Sequence, residues 1–139
     1  MRGRAPEGNM TAFEDDLFLG VDLSTQQLKG IVLNGENDVV LWHSINFSKD
    51  LPEFNTNGGI LKLTDGSTVS PVLMWVKAMD LLLEQIYSRV PARNIRCIGG
   101  CAQQHGTVYW ANGAAGKLST LSPDSSLFPA LESQLSLCF

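Results

Sequence analysis

Three short segments near the start of the chain each have the character of a β-strand, and only a few residues separate them. The first, residues 17–21, is almost wholly apolar, which is typical of a strand in the centre of a sheet. The second covers residues 28–33 and is followed by the turn-forming pair Asn34-Gly35. The third, residues 39–47, alternates with a period of two. Strands joined this closely are expected to form an antiparallel meander.

One amphipathic helix is predicted after an irregular excursion over residues 48–69, in which residues 60–63 have the character of a short strand. Ser70 is a favourable N-cap residue, and Pro71 suits the first helical position, where its missing N–H costs nothing. Apolar residues then recur at three- and four-residue spacing, which predicts one buried stripe. The stripe consists of Val72, Leu73, Val76, Met79, Leu83 and Ile86, with Trp75 and Leu82 widening it.

Two further strands are predicted after the helix, at residues 95–100 and 107–110. A strand that follows a helix returns beside the sheet, so the economical arrangement adds it in parallel to the meander. The predicted fold class is therefore α/β, with a mixed sheet in βββαβ order. This order is the beginning of a ribonuclease H-like lobe, the layout of actin-like ATPases and sugar kinases, and here the lobe is incomplete. Topology alone is weak evidence of activity.

The composition suits one folded domain and argues against several classes of protein. Of the 139 residues, 44% are hydrophobic and 17% are charged, which is enough to build a core and unlike a disordered chain. The net charge of -4 argues against a nucleic-acid-binding surface, and no apolar run is long enough for a transmembrane helix. Residues 1–15 contain no apolar segment typical of a secretory signal, so we expect a disordered tail and a cytoplasmic location.

The three cysteines of the chain are odd in number, and their spacing fits no zinc-binding motif. Cys97 and Cys101 lie in or beside a predicted strand. We therefore expect them to be buried free thiols in a reducing compartment.

The most informative polar stretch begins at Asp22, where the first strand gives way to a hairpin of hydroxyl and amide side chains. Such a hairpin offers backbone N–H groups and short donors to phosphate oxygens, and a carboxylate at a strand end can hold Mg²⁺ through waters. A lysine just beyond can neutralise charge on a transferring phosphoryl group. The candidate nucleotide-phosphate residues are Asp22, Ser24, Thr25, Gln26, Gln27 and Lys29, with Asp22 also the candidate metal ligand. The alternative is an ordinary solvent-exposed hairpin, since the P-loop pattern is absent.

A second polar stretch, Gln103-Gln104-His105-Gly106, follows the strand predicted at residues 95–100. Polar side chains at the carboxyl end of a strand are costly to bury without partners, and ligands of α/β proteins collect at that end of the sheet. Amide and imidazole groups suit a neutral polyol, because they donate and accept hydrogen bonds without requiring a charge. The alternative is that His105 packs against backbone as a satisfied turn residue.

Four segments in order resemble the FGGY carbohydrate kinases, and most closely their xylulose kinase branch. They are "GVDLSTQQLKG", "DLPEFNTNGG", "SPVLMWVKAMDLLLEQ" and "CAQQHGTVYW". The resemblance covers residues 17–124 and implies an enzyme of two ribonuclease H-like lobes around a cleft. It also implies ATP-dependent phosphorylation of a ketopentose such as D-xylulose, with ATP and Mg²⁺ as cofactors, the sugar and ATP as the binding partners, and no nucleic acid or membrane.

The resemblance assigns roles to residues that match the family motifs. Asp22 corresponds to the magnesium-organising aspartate, and the hairpin residues Thr25, Gln26, Gln27 and Lys29 to positions near the ATP phosphates. Gln104 and His105 correspond to the sugar-binding pair. The catalytic general base, an aspartate of the family's first lobe, and the adenosine pocket of the second lobe match no segment of this chain.

Two departures from the family pattern shape the expected domain organisation. Cys101-Ala102 stands where small Ser or Gly residues are usual, and the sequence after Asp124 no longer resembles the family. We therefore expect a tail at residues 1–15, a partial N-terminal kinase domain at 16–124 and a divergent tail at 125–139, in a truncated and inactive product. The alternatives are a non-catalytic fragment or interaction module, or another FGGY kinase acting on ribulose or gluconate.

Overall fold

The computed structural model of the chain describes residues 16–104, 106–122, 127–131 and 137–138. In chain order its strands and helices are β1 (Leu17–Leu23), β2 (Gln27–Leu33), β3 (Val39–Asn46), α1 (Phe47–Asp50), β4 (Leu61–Lys62), β5 (Thr68–Pro71), α2 (Val72–Tyr87), β6 (Ile95–Cys101), α3 (Ala114–Ser119), α4 (Leu127–Leu131) and β7 (Leu137–Cys138). Short 3₁₀ turns form at Pro52–Phe54 and Ala92–Asn94.

A mixed four-stranded sheet in the order β3-β2-β1-β6 forms the centre of the structure. β2 pairs antiparallel with both β1 and β3, whereas β6 lies parallel to β1. The predicted α/β class, the antiparallel meander and the parallel addition after the helix are therefore confirmed. β1 is flanked on both sides, which accounts for its apolar composition. A second, smaller sheet contains β4, β5 and β7.

Helix α2 covers one face of the large sheet, and the main core lies between them. Its fully buried residues follow a four-residue spacing, at Met74, Ala78, Leu82 and Ile86. Gly30 in β2 lets the helix approach, because a Cβ at that position would lie only 2.9 Å from Ile86 Cδ1. The sheet contributes Leu17, Leu19, Val21, Leu28, Val32 and Ile45 to the same core cluster.

The predicted beginning of α2 is wrong by one residue. Ser70 belongs to β5, and its buried hydroxyl donates to the Gly59 carbonyl at 2.8 Å. Pro71 takes the N-cap position, so Val72 is the first helical residue. The Ser70 side chain is thus engaged by a distant loop carbonyl and is not available to cap the helix.

The predicted buried stripe of α2 is rotated from the observed one. Val72, Leu82 and Ile86 are buried as expected, but Leu73, Trp75, Val76, Met79 and Leu83 are only half-buried. Met74 and Ala78 are fully buried in their place. The helix is apolar on most of its circumference, so the face that meets the sheet is set by close approach at Gly30 and not by periodicity.

The region after β6 differs most from expectation. Residues 107–110 were predicted as a strand, but they belong to none of the strands of the described structure, and Tyr109 and Trp110 are exposed. Cys97 and Cys101 are exposed free thiols, contrary to the predicted burial. The reason is that both side chains lie on the same sheet face as Phe18 and Asp22, opposite the core, and the described residues leave that face largely exposed.

Several predicted boundaries shift by a few residues, because a ladder extends as far as its partner strand allows. β1 and β6 run on to Leu23 and Cys101, β2 begins at Gln27, and β3 ends at Asn46. The short strand predicted at residues 60–63 is confirmed as β4. The two predicted tails lie outside the described residues, apart from α4 and β7. In the described part of the chain, every helix is too short or too polar to cross a bilayer.

Candidate functional site

Asp22 lies near the carboxyl end of β1, on the sheet face opposite α2. Its neighbour Val21 is buried in the core, and successive side chains of a strand point to opposite faces. Across the sheet, Asp22 is in register with Lys29 of β2 and with Cys101 of β6. One carboxylate is therefore flanked by a cationic side chain on one strand and a thiol on the other.

The contact between Cys101 and Asp22 is direct. Cys101 Sγ lies 3.3 Å from Asp22 Oδ1, and the thiol is the donor because an ionised carboxylate only accepts. This hydrogen bond, together with burial and the negative charge of Asp22, raises the pKa of the Cys101 thiol. The sequence had predicted a buried free thiol at Cys101 and no contact with Asp22.

The β1–β2 turn is held by its own hydrogen bonds and by contacts with Phe47 and Gly59. Ser24 donates to the Gln27 carbonyl through both its backbone N–H and its hydroxyl, each at 3.0 Å. The Gln26 carbonyl accepts from the Phe47 N–H at 3.0 Å. Gly59, at φ +83°, packs so closely that a Cβ there would lie 2.0 Å from the Thr25 carbonyl oxygen. The turn is therefore fixed, while the Thr25 and Gln26 side chains are exposed.

The segment that leaves β6 lies against this turn. Gln103 Nε2 donates to the Ser24 carbonyl at 3.4 Å. A pocket of about 350 Å³ is lined by residues 22–25 from one side and residues 102–104 from the other. Asp22, Ser24, Thr25 and Gln104 thus line one common pocket, as the two sequence motifs require. His105, the other sugar-binding candidate, lies outside the described residues.

A larger groove of about 550 Å³ lies beside this pocket on the open face of the sheet. Asp22, Lys29 and Cys101 lie at one end, and Ile31 and Trp42 are exposed further along. Asp22 lines both the groove and the smaller pocket, so it lies where the two meet. Gln27, the remaining candidate, is half-buried at the beginning of β2.

Cys101 was not among the predicted site residues, and Gln103 belonged to the predicted polar stretch but had no assigned role. Both contact the hairpin only because β6 returns parallel to β1, with Cys101 opposite Asp22. One sequence feature could have indicated this: both segments follow the carboxyl end of a strand, and the carboxyl ends of parallel strands lie at the same edge of the sheet.

The residues that the structure describes contain no group of three or more His, Cys, Asp or Glu side chains suited to hold a metal ion. A single half-exposed carboxylate fits a Mg²⁺ ion, because that ion keeps most of its waters and needs only one or two protein carboxylates. Asp22 therefore fits a largely hydrated Mg²⁺ ion and does not fit a site built wholly from protein ligands.

The chain is similar to several xylulose kinases, although no family model matches it. It is 46% identical to xylulose kinase of Rattus norvegicus over 123 residues, which is 87% of this chain and 22% of the rat protein. It is 37% identical to xylulose kinase 2 of Arabidopsis thaliana over 126 residues, which is 88% of this chain and 23% of that protein.

Xylulose kinase of Schizosaccharomyces pombe is 41% identical over 118 residues, covering 84% of this chain and 21% of the yeast protein. The chain thus spans about a fifth of the length of the curated relatives it matches. Similarity at this level, to animal, plant and fungal proteins alike, extends over most of the chain. The chain is therefore related to the xylulose kinases, and it corresponds to about a fifth of their length.

Proposed function

We propose that this chain supplies part of the active site of an ATP-dependent ketopentose kinase, which converts D-xylulose to D-xylulose 5-phosphate. The observation that carries the proposal is the shared pocket between the Asp22 hairpin and the segment after β6. One motif is suited to phosphate and the other to hydroxyl groups, and phosphoryl transfer needs both ligands side by side.

The hairpin is the proposed phosphate side of the site. Its Thr25 and Gln26 side chains are exposed, and Ser24, Gln27 and Lys29 flank them. Asp22 would hold Mg²⁺ through water, and the ion supplies charge neutralisation at the phosphates when bound. Lys29 adds a fixed positive charge in register with Asp22.

Gln104 and His105 form the proposed sugar side of the site. Gln104 lines the same pocket as Asp22, so a hydroxyl bound by its amide would lie near a phosphate held by the hairpin. Orienting that hydroxyl for in-line attack is the main contribution these residues make, because such catalysis is mostly positioning and electrostatics. The general base and the adenosine pocket are assigned to other parts of a protein of xylulose kinase length.

Two finer assignments belong to the same proposal. The four-stranded sheet with its helix is part of a ribonuclease H-like lobe, supported by the β3-β2-β1-β6 order and the parallel β1–β6 pair. The location is the cytoplasm, where ATP and free ketopentoses would be available to such an enzyme.

The test is a chimera in which residues 17–122 replace the matching segment of the rat relative. The chimera should release ADP in a xylulose-dependent manner, and Asp22→Asn should lower kcat/KM at least about 100-fold, since a group acting on transition-state charge is removed. Glu36→Gln, at an exposed acid of the β2–β3 turn, is the matched control and should leave turnover unchanged.

The 139-residue chain alone should show no turnover above background. A folded chimera that is inactive on xylulose, or one that prefers ribulose or gluconate, would contradict the proposed substrate. An Asp22→Asn chimera with unchanged kcat/KM would contradict the proposed role of the hairpin.

A further inference from the structure

Cys101 ends β6 at the point where that strand lies alongside Asp22. The two residues are partners in the parallel β1–β6 ladder, and Sγ and Oδ1 are 3.3 Å apart. We propose that Cys101 is a positioning residue, whose thiol fixes the Asp22 carboxylate by donating a hydrogen bond to one of its oxygens. This inference rests on the proposed function, because it assigns Asp22 a task that requires one orientation.

The surroundings of Asp22 offer little other support on the same face. Gly20 precedes it by two residues on β1, and Gly99 is the partner of Gly20 on β6, so neither has a side chain that could contact the carboxylate. Lys29 is in register with Asp22 on β2 but forms no ion pair with it, because the two ion pairs among the described residues are Lys77–Glu53 and Arg96–Asp16. Cys101 is thus the side chain that can hold the half-exposed Asp22 carboxylate in a single rotamer.

A second contact holds the same segment in place. Gln103 Nε2 donates to the Ser24 carbonyl, so the exit of β6 is tied both to the turn backbone and to the carboxylate. A carboxylate has two oxygens with about four lone-pair sites in total. The thiol uses one site on Oδ1, so the second oxygen of Asp22 can still bind a ligand. Cys101 would therefore influence metal–phosphate binding without touching the phosphate.

The experiment compares Cys101→Ala and Cys101→Ser in the full 139-residue chain. Serine keeps a donor of similar size, and alanine removes it. Cys97→Ala is the matched control, since Cys97 lies four residues earlier on the same strand and is also exposed. Two quantities are measured by NMR: the three-bond couplings that define χ1 of Asp22, and the broadening of amide signals of residues 22–29 by added Mn²⁺.

We expect a single Asp22 rotamer in the wild type, in Cys101→Ser and in Cys97→Ala, and rotamer-averaged couplings in Cys101→Ala. The apparent Mn²⁺ affinity of Cys101→Ala should fall about 2- to 10-fold, the loss expected for one hydrogen bond, and Cys101→Ser should restore it. Because Cys101 is exposed, these variants should keep the fold, which their amide spectra check.

Couplings in Cys101→Ala that match the wild type, or averaged couplings in the wild type itself, would overturn the proposal. The couplings need no ligand, so they decide the positioning role even if Mn²⁺ fails to bind. Absence of Mn²⁺ broadening at residues 22–29 in the wild type would count against the proposed function instead.

Discussion

At the scale of single residues, the β1–β2 turn depends on a glycine that is distant in sequence. Gly59 has a positive φ of 83°, and its α-carbon lies against the backbone of Thr25. The sequence showed a Gly-Gly pair in an irregular segment, but it gave no indication of which residue the pair would contact. The candidate phosphate hairpin is therefore supported by a glycine of the "DLPEFNTNGG" segment.

Gly59→Ala should destabilise the chain by clearly more than the cost of a left-handed backbone alone. A Cβ would lie 2.0 Å from Thr25 O and 2.9 Å from the Phe47 ring, so the turn must move. Gly66→Ala is the matched control, because Gly66 has φ +86° and open space around it. Urea unfolding should give about 1–2 kcal/mol for Gly66→Ala and a greater loss for Gly59→Ala. Equal losses would show that Gly59 is not a packing contact.

Asp80 on α2 has a pKa raised by partial burial. Burial disfavours the ionised form, so this residue reduces stability at neutral pH, and the penalty disappears as the pH falls through its raised pKa. Asp80→Asn should therefore raise Tm at pH 7 and have little effect near pH 3. Glu84→Gln, at an exposed acid of the same helix, serves as control. A Tm gain for Asp80→Asn that is equally large at both pH values would contradict this explanation.

At the scale of elements, the sequence predicted the strands of the large sheet and the existence of α2 well. Each of these has a strong local pattern: an apolar central strand, a turn pair at Asn34-Gly35, or a long apolar helix. The prediction from sequence was wrong for features that depend on contacts with residues distant in the chain. Ser70 does not cap α2, because its hydroxyl donates to the Gly59 carbonyl. The strand predicted at residues 107–110 is not one of the strands of the described sheets.

The face that α2 buries can be tested with two adjacent leucines. Leu82, at the margin of the predicted stripe, is fully buried against the sheet and Gly30, whereas Leu83, in the main part of that stripe, is only half-buried. Leu82→Ala should lower the free energy of unfolding by about 2–5 kcal/mol, because it leaves a cavity in the core. Leu83→Ala should cost about half of that or less. The reverse ranking in urea unfolding would favour the stripe predicted by periodicity.

At the scale of the whole molecule, α2 covers one face of β1, β2 and β3, and among the described residues the other face and most of β6 are largely exposed. The open face exposes Phe18, Ile31 and Trp42, the last at 65% of its surface, and Ile98 of β6 is 56% exposed. Exposed apolar area of this kind is unusual on a stable monomer. The uncovered edge of β6 adds unpaired backbone groups.

The 139-residue chain should therefore bind a hydrophobic dye or self-associate. Trp42→Thr, which removes the most exposed aromatic side chain of this face, should reduce dye fluorescence markedly while the folded signal persists. Dye titration and sedimentation velocity give the two readouts. A wild-type chain that is monodisperse and silent toward the dye would contradict the open face.

The composition of the candidate site was predictable only in part. Asp22, the hairpin and Gln104 could be placed at the sheet edge, because strand ends in a βββαβ order meet there. The roles of Cys101 and Gln103 could not, since they depend on the register of β6 against β1, which no local pattern encodes. Those two contacts now connect the proposed phosphate and sugar sides.

If the Asp22 hairpin and the exit of β6 form one ligand site, a single phosphate ligand should affect both segments, and amide chemical shifts of the chain titrated with Mg²⁺-tripolyphosphate measure this. We expect shifts concentrated at residues 22–29 and 101–104, lost in Asp22→Asn and retained in Glu36→Gln. Shifts that are absent from both segments, or that are unchanged in Asp22→Asn, would contradict it.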